Sequence, residues 1–283
     1  MNPWIVMRSY NDAWVVGQTL DGIARQSMAH RLIVFDNAST DGSLEIIRRH
    51  TDRIVNIPRG AYIPGRVLNQ AMAETDGEFV VFLNSDCVPQ DHRWLASLIE
   101  GFADESVAAV FGRQIPRPEC WPLFAKDTEE TFGDGARQKY WKHCFSMATS
   151  AIRRSVWEAM PFRDDIQYSE DVDWTWRARQ AGHTIRYAGG SVAMHSHNYT
   201  LKQYRRRQFG EGRADAAIFD WKPWERTLLR YSLLPFARQV VSDVRYGVRT
   251  MQPRAIAHSL PLRVVQMVGR RRGFQEGWSA RSQ

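Results

Sequence analysis

The fold is decided by the stretch Glu78-Phe79-Val80-Val81-Phe82-Leu83-Asn84-Ser85-Asp86. Its five consecutive apolar residues, β-branched and aromatic among them, predict a strand that is buried on both faces. The strand ends in small polar side chains, and in an open α/β sheet ligands bind just beyond the carboxyl ends of the strands. Asp86 is therefore a candidate ligand for a divalent cation or a sugar hydroxyl. The alternative is that Asp86 only caps the turn before Pro89.

Short strands and helices alternate around this stretch. Strands are predicted at Trp4–Met7, Leu32–Phe35, Ile54–Val55, Val107–Phe111, Phe145–Ile152, Thr184–Tyr187 and Ser191–Met194. Helices are predicted over about 13–27, 44–50, 65–73, 153–158, 170–181 and 201–219, and residues 119–145 predict a loop with a short helix. This alternation is typical of βαβ units and predicts an α/β fold with a mixed, mostly parallel central sheet flanked by helices. Asp12 is expected to cap the first helix.

The predicted strand ends carry carboxylates and lack a glycine-rich phosphate loop. No G-x-G-x-x-G follows the first strand, and G-x-x-x-x-G-K-[ST] occurs nowhere in the chain. The sequence therefore argues against the usual dinucleotide site and against a P-loop. Asp36, Asp41 and Asp86 suit ribose hydroxyls, a base N–H, or a metal ion that itself holds phosphate.

Acidic residues also fill the first turn of the helix predicted from residue 170. Favourable interaction with the helix dipole, worth about 0.3–1 kcal/mol each, explains acids at this place in general. It does not require all three of Glu170, Asp171 and Asp173 beside two tryptophans. A catalytic role for this acidic turn is the competing interpretation.

Two histidines, His195 and His197, follow the last predicted strand. A single histidine is usually structural. A pair that flanks one serine at a strand end, downstream of an acidic helix start, can instead bind a divalent cation together with a carboxylate. Both interpretations stay open at this point.

Charge and cysteine usage bear on location and partners. Residues 201–283 hold 17 of the 38 basic and 6 of the 31 acidic side chains, a balance of +11, whereas residues 1–200 carry −4. Such a basic end suits anionic lipid, a phosphate-bearing acceptor or nucleic acid. The three cysteines lack metal-ligand spacing and predict free thiols in a reducing compartment. With no signal segment and no apolar run of about 18 residues, we expect a cytosolic protein that can attach to a membrane face.

The chain from Pro223 onward predicts two helices, at about 224–249 and 254–271. Arginine interleaves with Leu, Val and Trp, as in a helix that lies on a membrane surface. Ordinary helix packing predicts much the same pattern. We expect a main domain over residues 1–219, with a nucleotide-binding half at 1–111 and an acceptor half at 112–219, and a basic helical extension at 220–283.

Taken in order, these motifs resemble the inverting glycosyltransferases of family 2, which have the nucleotide-diphospho-sugar-binding fold called GT-A. The resemblance covers roughly residues 4–215. Asn84-Ser85-Asp86 stands at the family's D-x-D, with Asn84 as a departure, so only Asp86 matches a metal-ligand position. Asp36 matches the base-contacting position. The nucleotide-sugar site implied by the resemblance consists of Arg8, Ser9, Tyr10, Asn11, Asp36, Asn37, Ser39, Asp41, Arg66, Asn69, Asn84, Ser85 and Asp86.

The resemblance also implies catalytic roles. Glu170-Asp171 matches the family's E-D pair, with Asp171 as general base, kept ionised by exposure at the helix start, and Glu170 as an orienting partner. His195 lies 24 residues beyond Asp171, where the family places a histidine on the metal. The implied cofactor is Mg²⁺ or Mn²⁺, held by Asp86 with His195 or His197. Trp174 and Arg113 are candidate acceptor contacts.

Three segments, 111–116, 150–157 and 195–201, look like the bacterial rhamnosyltransferase branch. That branch implies transfer of rhamnose from dTDP-L-rhamnose to a hydroxyl of a glycan or lipid-linked glycan in surface polysaccharide synthesis, with no nucleic acid partner. One alternative is a nucleotidyltransferase that makes a nucleotide sugar, although the glycine-rich loop typical of that class is missing. The other is a non-catalytic protein that binds sugar or nucleic acid, which would not need Asp171 and the histidine pair.

Overall fold

The computed structural model describes residues 2–136, 138 and 144–281. The loop predicted over 119–145 falls partly on residues 137 and 139–143, which lie outside the described residues. Contacts group the chain into two units. The sheet unit comprises residues 1–117, 128–166 and 170–196, and the helical unit comprises residues 118–127, 167–169 and 197–283. The helix after residue 200 thus groups with the C-terminal helices, whereas the predicted domain boundary at 219, which stays a prediction, assigns it to the main domain.

Eight strands of the described residues form one sheet in the sheet unit. They are β1 (Trp4–Ser9), β2 (Arg31–Asp36), β3 (Ile54–Asn56), β4 (Phe79–Asn84), β5 (Val88–Pro89), β6 (Val107–Ile115), β7 (Thr149–Arg153) and β8 (Thr184–Met194). Their order is β3-β2-β1-β4-β7-β6-β8-β5. β7 runs antiparallel to β4 and β6, β5 runs antiparallel to β8, and the other pairs are parallel. The predicted mixed, mostly parallel sheet is confirmed.

Ten α-helices and one π-helix accompany the strands in the described part of the chain. The helices are α1 (Val16–Ala24), α2 (Ser43–Ile47), α3 (Pro64–Ala73), α4 (Trp94–Glu100), α5 (Pro122–Thr131), α6 (Arg154–Ala159), α7 (Glu170–Gln180), α8 (Leu201–Ile218), α9 (Leu234–Arg249), α10 (Pro253–Arg281) and the π-helix Leu228–Leu233. The helix predicted over 224–249 is therefore a π-helix followed by α9, and α10 continues ten residues beyond its predicted end at 271.

The central strand β4 is buried on both faces, as its sequence predicts. Val80 and Phe82 pack into the hydrophobic cluster on one face of the sheet, and Val81 and Leu83 pack into the cluster on the other face. Because successive side chains of a strand point to opposite faces, one strand supplies both clusters. The parallel strands β1, β2 and β4 end at the same edge, which brings their polar C-terminal residues together.

Strand β8 is continuous where two short strands were predicted. It pairs with β6 on both sides of residues 189–191, with register shifts between Val107 and Ala109 and between Gly112 and Arg113. A Cβ atom at Gly112 would lie 2.7 Å from the carbonyl oxygen of Ser191, so glycine permits this close approach of the two strands. β7 starts at Thr149, later than predicted, because the N–H of Met147 bonds to a carboxylate and joins no ladder.

The start of α1 differs from the prediction in its capping. The N–H groups of Val15 and Val16 donate to the main-chain carbonyl of Asp12. The carboxylate of Asp12 instead accepts a hydrogen bond from the Ser85 hydroxyl at 2.5 Å. Side-chain capping by Asp12 was therefore wrong, and its carboxylate belongs to the β4 strand end.

In the helical unit, α10 packs closely on α8 through three glycines spaced by four residues. Gly269, Gly273 and Gly277 face main-chain carbonyls of α8, and a Cβ atom at Gly273 would lie 1.9 Å from the carbonyl oxygen of Phe209. Only glycine allows two helix backbones to approach this closely. Ordinary helix packing thus accounts for α10. None of the described helices combines the length and the apolar content that crossing a bilayer requires.

Candidate active site

Arg8, the penultimate residue of β1, connects two parts of the predicted site. It pairs with Asn84 in the parallel register of β1 and β4, and its guanidinium donates to the Asn84 side-chain oxygen at 2.9 Å. The same guanidinium lies 3.4 Å from a carboxylate oxygen of Glu170. The amide that departs from the D-x-D pattern therefore bonds to Arg8, and that arginine also contacts the acidic turn of α7.

Glu170, which is buried, and Asp171, which is partly buried, form an acidic pair at the start of α7. Burial and the neighbouring charge of Asp171 raise the pKa of Glu170 to about 7, against the opposing charge of Arg8. One guanidinium thus serves two carboxylates. A carboxylate pair with too little positive charge holds protons at higher pH than an isolated acid.

Asp171 is partly buried, and the expectation that exposure keeps it ionised was wrong. Its Oδ2 accepts the N–H of Met147 at 2.9 Å, and its Oδ1 accepts the N–H of Val172 at 2.8 Å. Burial raises the pKa of Asp171, while these two hydrogen bonds and the charge of Arg8 lower it. The loop before β7 therefore both covers and orients this carboxylate, and its raised pKa suits a group that must accept a proton.

Asp86 and His195 meet at the carboxyl ends of β4 and β8. Their Oδ2 and Nε2 atoms lie 3.5 Å apart. On its other side, His195 Nδ1 lies 2.6 Å from Oε1 of Gln114, and the Gln114 amide nitrogen donates to the Ser146 hydroxyl at 2.9 Å. With Nδ1–H donating to Gln114, the Nε2 lone pair is directed toward Asp86.

This arrangement fits a divalent cation. A carboxylate oxygen and an imidazole nitrogen 3.5 Å apart can both reach one ion at bond lengths of about 2.0–2.2 Å. Burial and the charge of Asp86 raise the pKa of the neighbouring Asp12, so the site also favours positive charge. The hydrogen bond that His195 donates to Gln114 is the kind of support that orients a metal-binding histidine. His197 is the first residue of the helical unit, and its role as a ligand stays a prediction.

The polar residues after β2 mostly bond to one another. Asp36 has no exposed surface, and its two carboxylate oxygens accept the N–H and the hydroxyl of Ser39. Asn11 donates its N–H to Ser39 and accepts the N–H of Thr40. Asp41 accepts the N–H of Ala13 and the hydroxyl of Ser43. These residues therefore shape the loop, and a direct contact of Asp36 with a base stays a prediction.

Two buried polar atoms at the neighbouring ends of β1 and β2 have no hydrogen-bond partner within the described part of the chain. They are the hydroxyl of Ser9 and the side-chain oxygen of Asn37. The N–H of Asn37 donates to the Ser9 carbonyl at 2.9 Å, so the two residues are adjacent. Because an unpaired buried polar atom is costly, these two atoms are candidate contacts for a polar group of a ligand.

Burial and bonding contradict one predicted contact and restrict another. Trp174 is completely buried, donates its indole N–H to the Met160 carbonyl and packs against Phe162, so it is a core residue with no surface for an acceptor. The Asn69 side chain donates to the Phe162 carbonyl and accepts both the Phe162 N–H and the Trp157 indole N–H. One N–H of its amide group is left over, so a contact of Asn69 with a pyrophosphate stays a prediction.

The remaining predicted residues keep their candidate roles. Tyr10 is 53% exposed. The Arg66 side chain is 61% exposed and lies 3.9 Å from Asp164. Arg113 is partly buried on β6, and Ser85 is buried with its hydroxyl on Asp12.

Sequence reasoning missed Gln114, Ser146 and Met147. Gln114 reaches His195 across 81 residues of sequence, and Met147 reaches Asp171 across 24. No local pattern marks such residues. A polar side chain at the end of a buried strand, as at Gln114, is the single signal that could have drawn attention to one of them.

Residues 4–160, more than half of the chain, match the model of glycosyl transferase family 2. The chain belongs to this family. Membership of this family argues against the two alternatives, a nucleotidyltransferase and a non-catalytic binding protein.

Similar proteins place this glycosyltransferase near bacterial rhamnosyltransferases. It is 32% identical over 197 residues to an O-antigen chain rhamnosyltransferase of Salmonella anatum, a match that covers 64% of this chain and 61% of that protein. It is 28% identical over 221 residues to an O-antigen chain rhamnosyltransferase of Salmonella typhimurium, covering 74% and 70%. The chain therefore spans about three fifths of the first relative's length and seven tenths of the second's.

Solved structures show the GT-A fold. A mannosyltransferase of Pyrobaculum calidifontis in complex with GDP-mannose and Mn²⁺ superposes with a TM-score of 0.61 at 20% identity, covering 93% of this chain and 74% of the other. A glucosyl-3-phosphoglycerate synthase of Mycobacterium tuberculosis with Mg²⁺ and UDP gives 0.55 at 16% identity, covering 78% and 81%. The glycosyltransferase thus has the predicted fold.

Proposed function

We propose that this glycosyltransferase moves L-rhamnose from dTDP-L-rhamnose to a hydroxyl of a glycan or lipid-linked glycan, with inversion at the anomeric carbon. The observation that carries the proposal is the linkage of two acidic sites through one loop. Ser146 bonds to Gln114, which holds His195 beside Asp86, and the next residue, Met147, bonds to Asp171. The choice of rhamnose is supported by the two similar O-antigen enzymes.

The donor would lie along the carboxyl ends of β1, β2 and β4. Ser9 and Asn37 offer unpaired polar atoms to a base or ribose. Asp86 and His195, with His197 as a further candidate, would hold Mg²⁺ or Mn²⁺, which as a Lewis acid offsets the negative charge that gathers on the leaving diphosphate. The exposed Arg66 is available to add positive charge to the same diphosphate.

Asp171 is the proposed general base. The acceptor hydroxyl must lose its proton as the new bond forms, and a carboxylate with a raised pKa takes that proton more readily near neutral pH. Glu170 shares Arg8 with Asn84, so it fixes the start of α7 relative to the strand that supplies Asp86. We assign Glu170 a positioning role. Arg113 keeps the role of candidate acceptor contact, and Trp174 loses it.

A lipid-linked acceptor would bring the enzyme to the cytoplasmic face of the membrane. This location and the membrane contact of the C-terminal helices belong to the proposal. The activity of the two similar Salmonella enzymes, O-antigen chain rhamnosyl transfer, is the basis for expecting a surface-polysaccharide acceptor.

Donor choice can be tested by thermal unfolding with a panel of nucleotide sugars. We expect dTDP-L-rhamnose with Mn²⁺ or Mg²⁺ to stabilise the protein most, since a ligand at about 100 times its Kd adds about 2.7 kcal/mol. Asp86→Ala should abolish the metal-dependent part of the shift. A larger shift with GDP- or UDP-sugars, or one that EDTA leaves unchanged, would contradict the donor or the metal assignment respectively.

A further inference from the structure

The outer face of α9 carries an apolar stripe. Leu234, Val241, Val244 and Val248 recur at intervals of three, four and seven residues, which places them on one side of an α-helix. Their side chains are between 38% and 65% exposed, and Met251 just beyond the helix is 87% exposed. Soluble proteins rarely expose a continuous apolar surface of this kind without a binding function.

The rotation of α9 is set by a buried charge on its opposite side. Asp243 is completely buried and bonds to the Arg263 guanidinium and the Ser259 hydroxyl of α10. At 100° per residue, Asp243 lies about opposite to Val241. Rotation of α9 that buried the stripe would separate Asp243 from Arg263 and leave a buried charge unpaired. Because this is costly, the stripe stays exposed.

Arginines run beside the stripe. Arg238, Arg245 and Arg249 follow the apolar residues by one to four positions along α9 and are exposed. Residues 226–275 contain ten arginines and a single acidic residue, Asp243, which is buried. The exposed surface of this segment therefore carries positive charge with no acidic side chain of its own.

From this combination we propose that the α9 face, defined as Leu234, Val241, Val244, Val248 and Met251 with Arg238, Arg245 and Arg249, docks on an anionic lipid surface. An apolar stripe flanked by arginine is the pattern of helices that lie in a membrane interface. A lipid surface suits both kinds of side chain, because the valines can pack among acyl chains and the guanidiniums can pair with phosphate headgroups.

Charge decides against two other occupants. A second copy of the same face would bring arginines together with no acid to pair them. Nucleic acid would pair with the arginines but would leave the aliphatic stripe in water. The role of such docking, which is to bring the enzyme to a lipid-linked acceptor, rests on the proposed function. Lipid binding itself can be measured without any sugar.

Flotation of the full chain with vesicles tests the proposal. We expect binding to vesicles of phosphatidylcholine with 30% phosphatidylglycerol, weaker binding to phosphatidylcholine alone, and release by salt. Arg238→Gln with Arg245→Gln should weaken partitioning by roughly 25-fold, since each arginine near an anionic surface contributes about fivefold. Val241→Ser with Val244→Ser should weaken it by about tenfold or more.

Matched controls distinguish an effect of the α9 face from a general effect of positive charge or exposed apolar side chains. Arg48→Gln with Arg49→Gln removes the same charge from exposed positions after α2, and Leu201→Ser removes an exposed leucine from α8. Both should bind vesicles as the unaltered chain does. All variants should keep the donor-induced thermal shift, so a wrong donor assignment and a wrong lipid assignment give different results.

Three outcomes would overturn the proposal. The first is no binding of the unaltered chain to anionic vesicles. The second is a dimer in solution that Val241→Ser with Val244→Ser dissociates, with no vesicle binding. The third is binding to oligonucleotides in place of vesicles, lost in the arginine variants.

Discussion

Buried carboxylates behave oppositely in the two units. In the sheet unit, Glu170 and Asp171 share the single guanidinium of Arg8, and burial raises the pKa of both. In the helical unit, burial also acts to raise the pKa of Asp243, yet bonds from Arg263 and its neighbours outweigh burial and lower it. Burial acts in the same direction on all three carboxylates, so it does not explain why their pKa values shift in opposite directions.

The difference lies in the supply of positive charge. Asp243 receives two hydrogen bonds from Arg263 and lies 3.0 Å from the buried ammonium of Lys126, while Asp127 accepts two more bonds from Arg263. Two acids thus face two cations. A balanced cluster joins helices, whereas a carboxylate pair short of positive charge is ready to accept a proton.

Asp171→Asn should show the largest effect. We expect the rate of transfer to fall by about 10²–10⁴, the usual contribution of a general base. Donor binding, measured by thermal shift, should stay unchanged, because the base acts on the acceptor. Asp165→Asn, an exposed acid before α7, is the control and should be nearly silent. Near-normal turnover in Asp171→Asn would disprove the base assignment.

Asp243→Asn should lower the free energy of unfolding by about 3–5 kcal/mol, because it leaves two buried cations, Lys126 and Arg263, to share the carboxylate of Asp127. The measurement is the shift of the urea midpoint multiplied by the m-value. Asp220→Asn removes an exposed partner of Arg281 and should cost less than about 1 kcal/mol. If the two variants lose the same free energy of unfolding, the Asp243 cluster does not hold the helices together.

Gln114→Leu should weaken Mn²⁺ binding by about 10- to 100-fold, the usual effect of removing the partner that orients a metal-binding histidine. Electron paramagnetic resonance of free Mn²⁺ during titration measures this without any turnover. Gln114→Glu keeps an acceptor for the Nδ1–H of His195 and should restore most of the affinity. If both variants bind Mn²⁺ normally, Gln114 does not position His195.

Glu170→Gln should give the smallest effect, seen in the pH dependence of stability. A carboxylate whose pKa is raised on folding binds its proton more tightly in the folded state, so stability falls as pH rises from about 4.5 to about 7. Removing it should flatten that fall. The rise in pKa corresponds to about 3 kcal/mol, but the variant also takes a counter-charge from Arg8, so we expect a net gain of roughly 1 kcal/mol at pH 8.

The contribution of Asp243 to stability changes with pH in the opposite direction to that of Glu170. Because its pKa is lowered on folding, its stabilisation is present above the ordinary carboxylate value and is lost as the pH falls through the lower folded pKa. Between pH 5 and pH 8 Glu170 titrates and Asp243 does not, so urea midpoints at these two pH values measure the contribution of Glu170 and not that of Asp243. An unchanged slope between those values in Glu170→Gln would contradict the raised pKa.

Much of the fold followed from local pattern. The double-faced burial of β4 and the alternation of strands and helices in the first hundred residues are visible in the spacing of apolar residues. The predictions that failed depend on distant partners. β8 continues as one strand because glycine at 112 lets it approach β6, and Trp174 is core because Phe162 and Met160 surround its indole.

By itself the sequence determined the buried strands, the family to which the motifs belong, and the candidate acids Asp86, Glu170 and Asp171. Only the tertiary structure decided which buried acids are matched by cations. Arg8 and Glu170 are 162 residues apart in sequence, and Asp127 and Arg263 are 136 apart. Electrostatic interaction depends on distance in space and on burial, and local residue order contains neither. The charge balance that separates a carboxylate with a raised pKa from one with a lowered pKa therefore appears only in the folded chain.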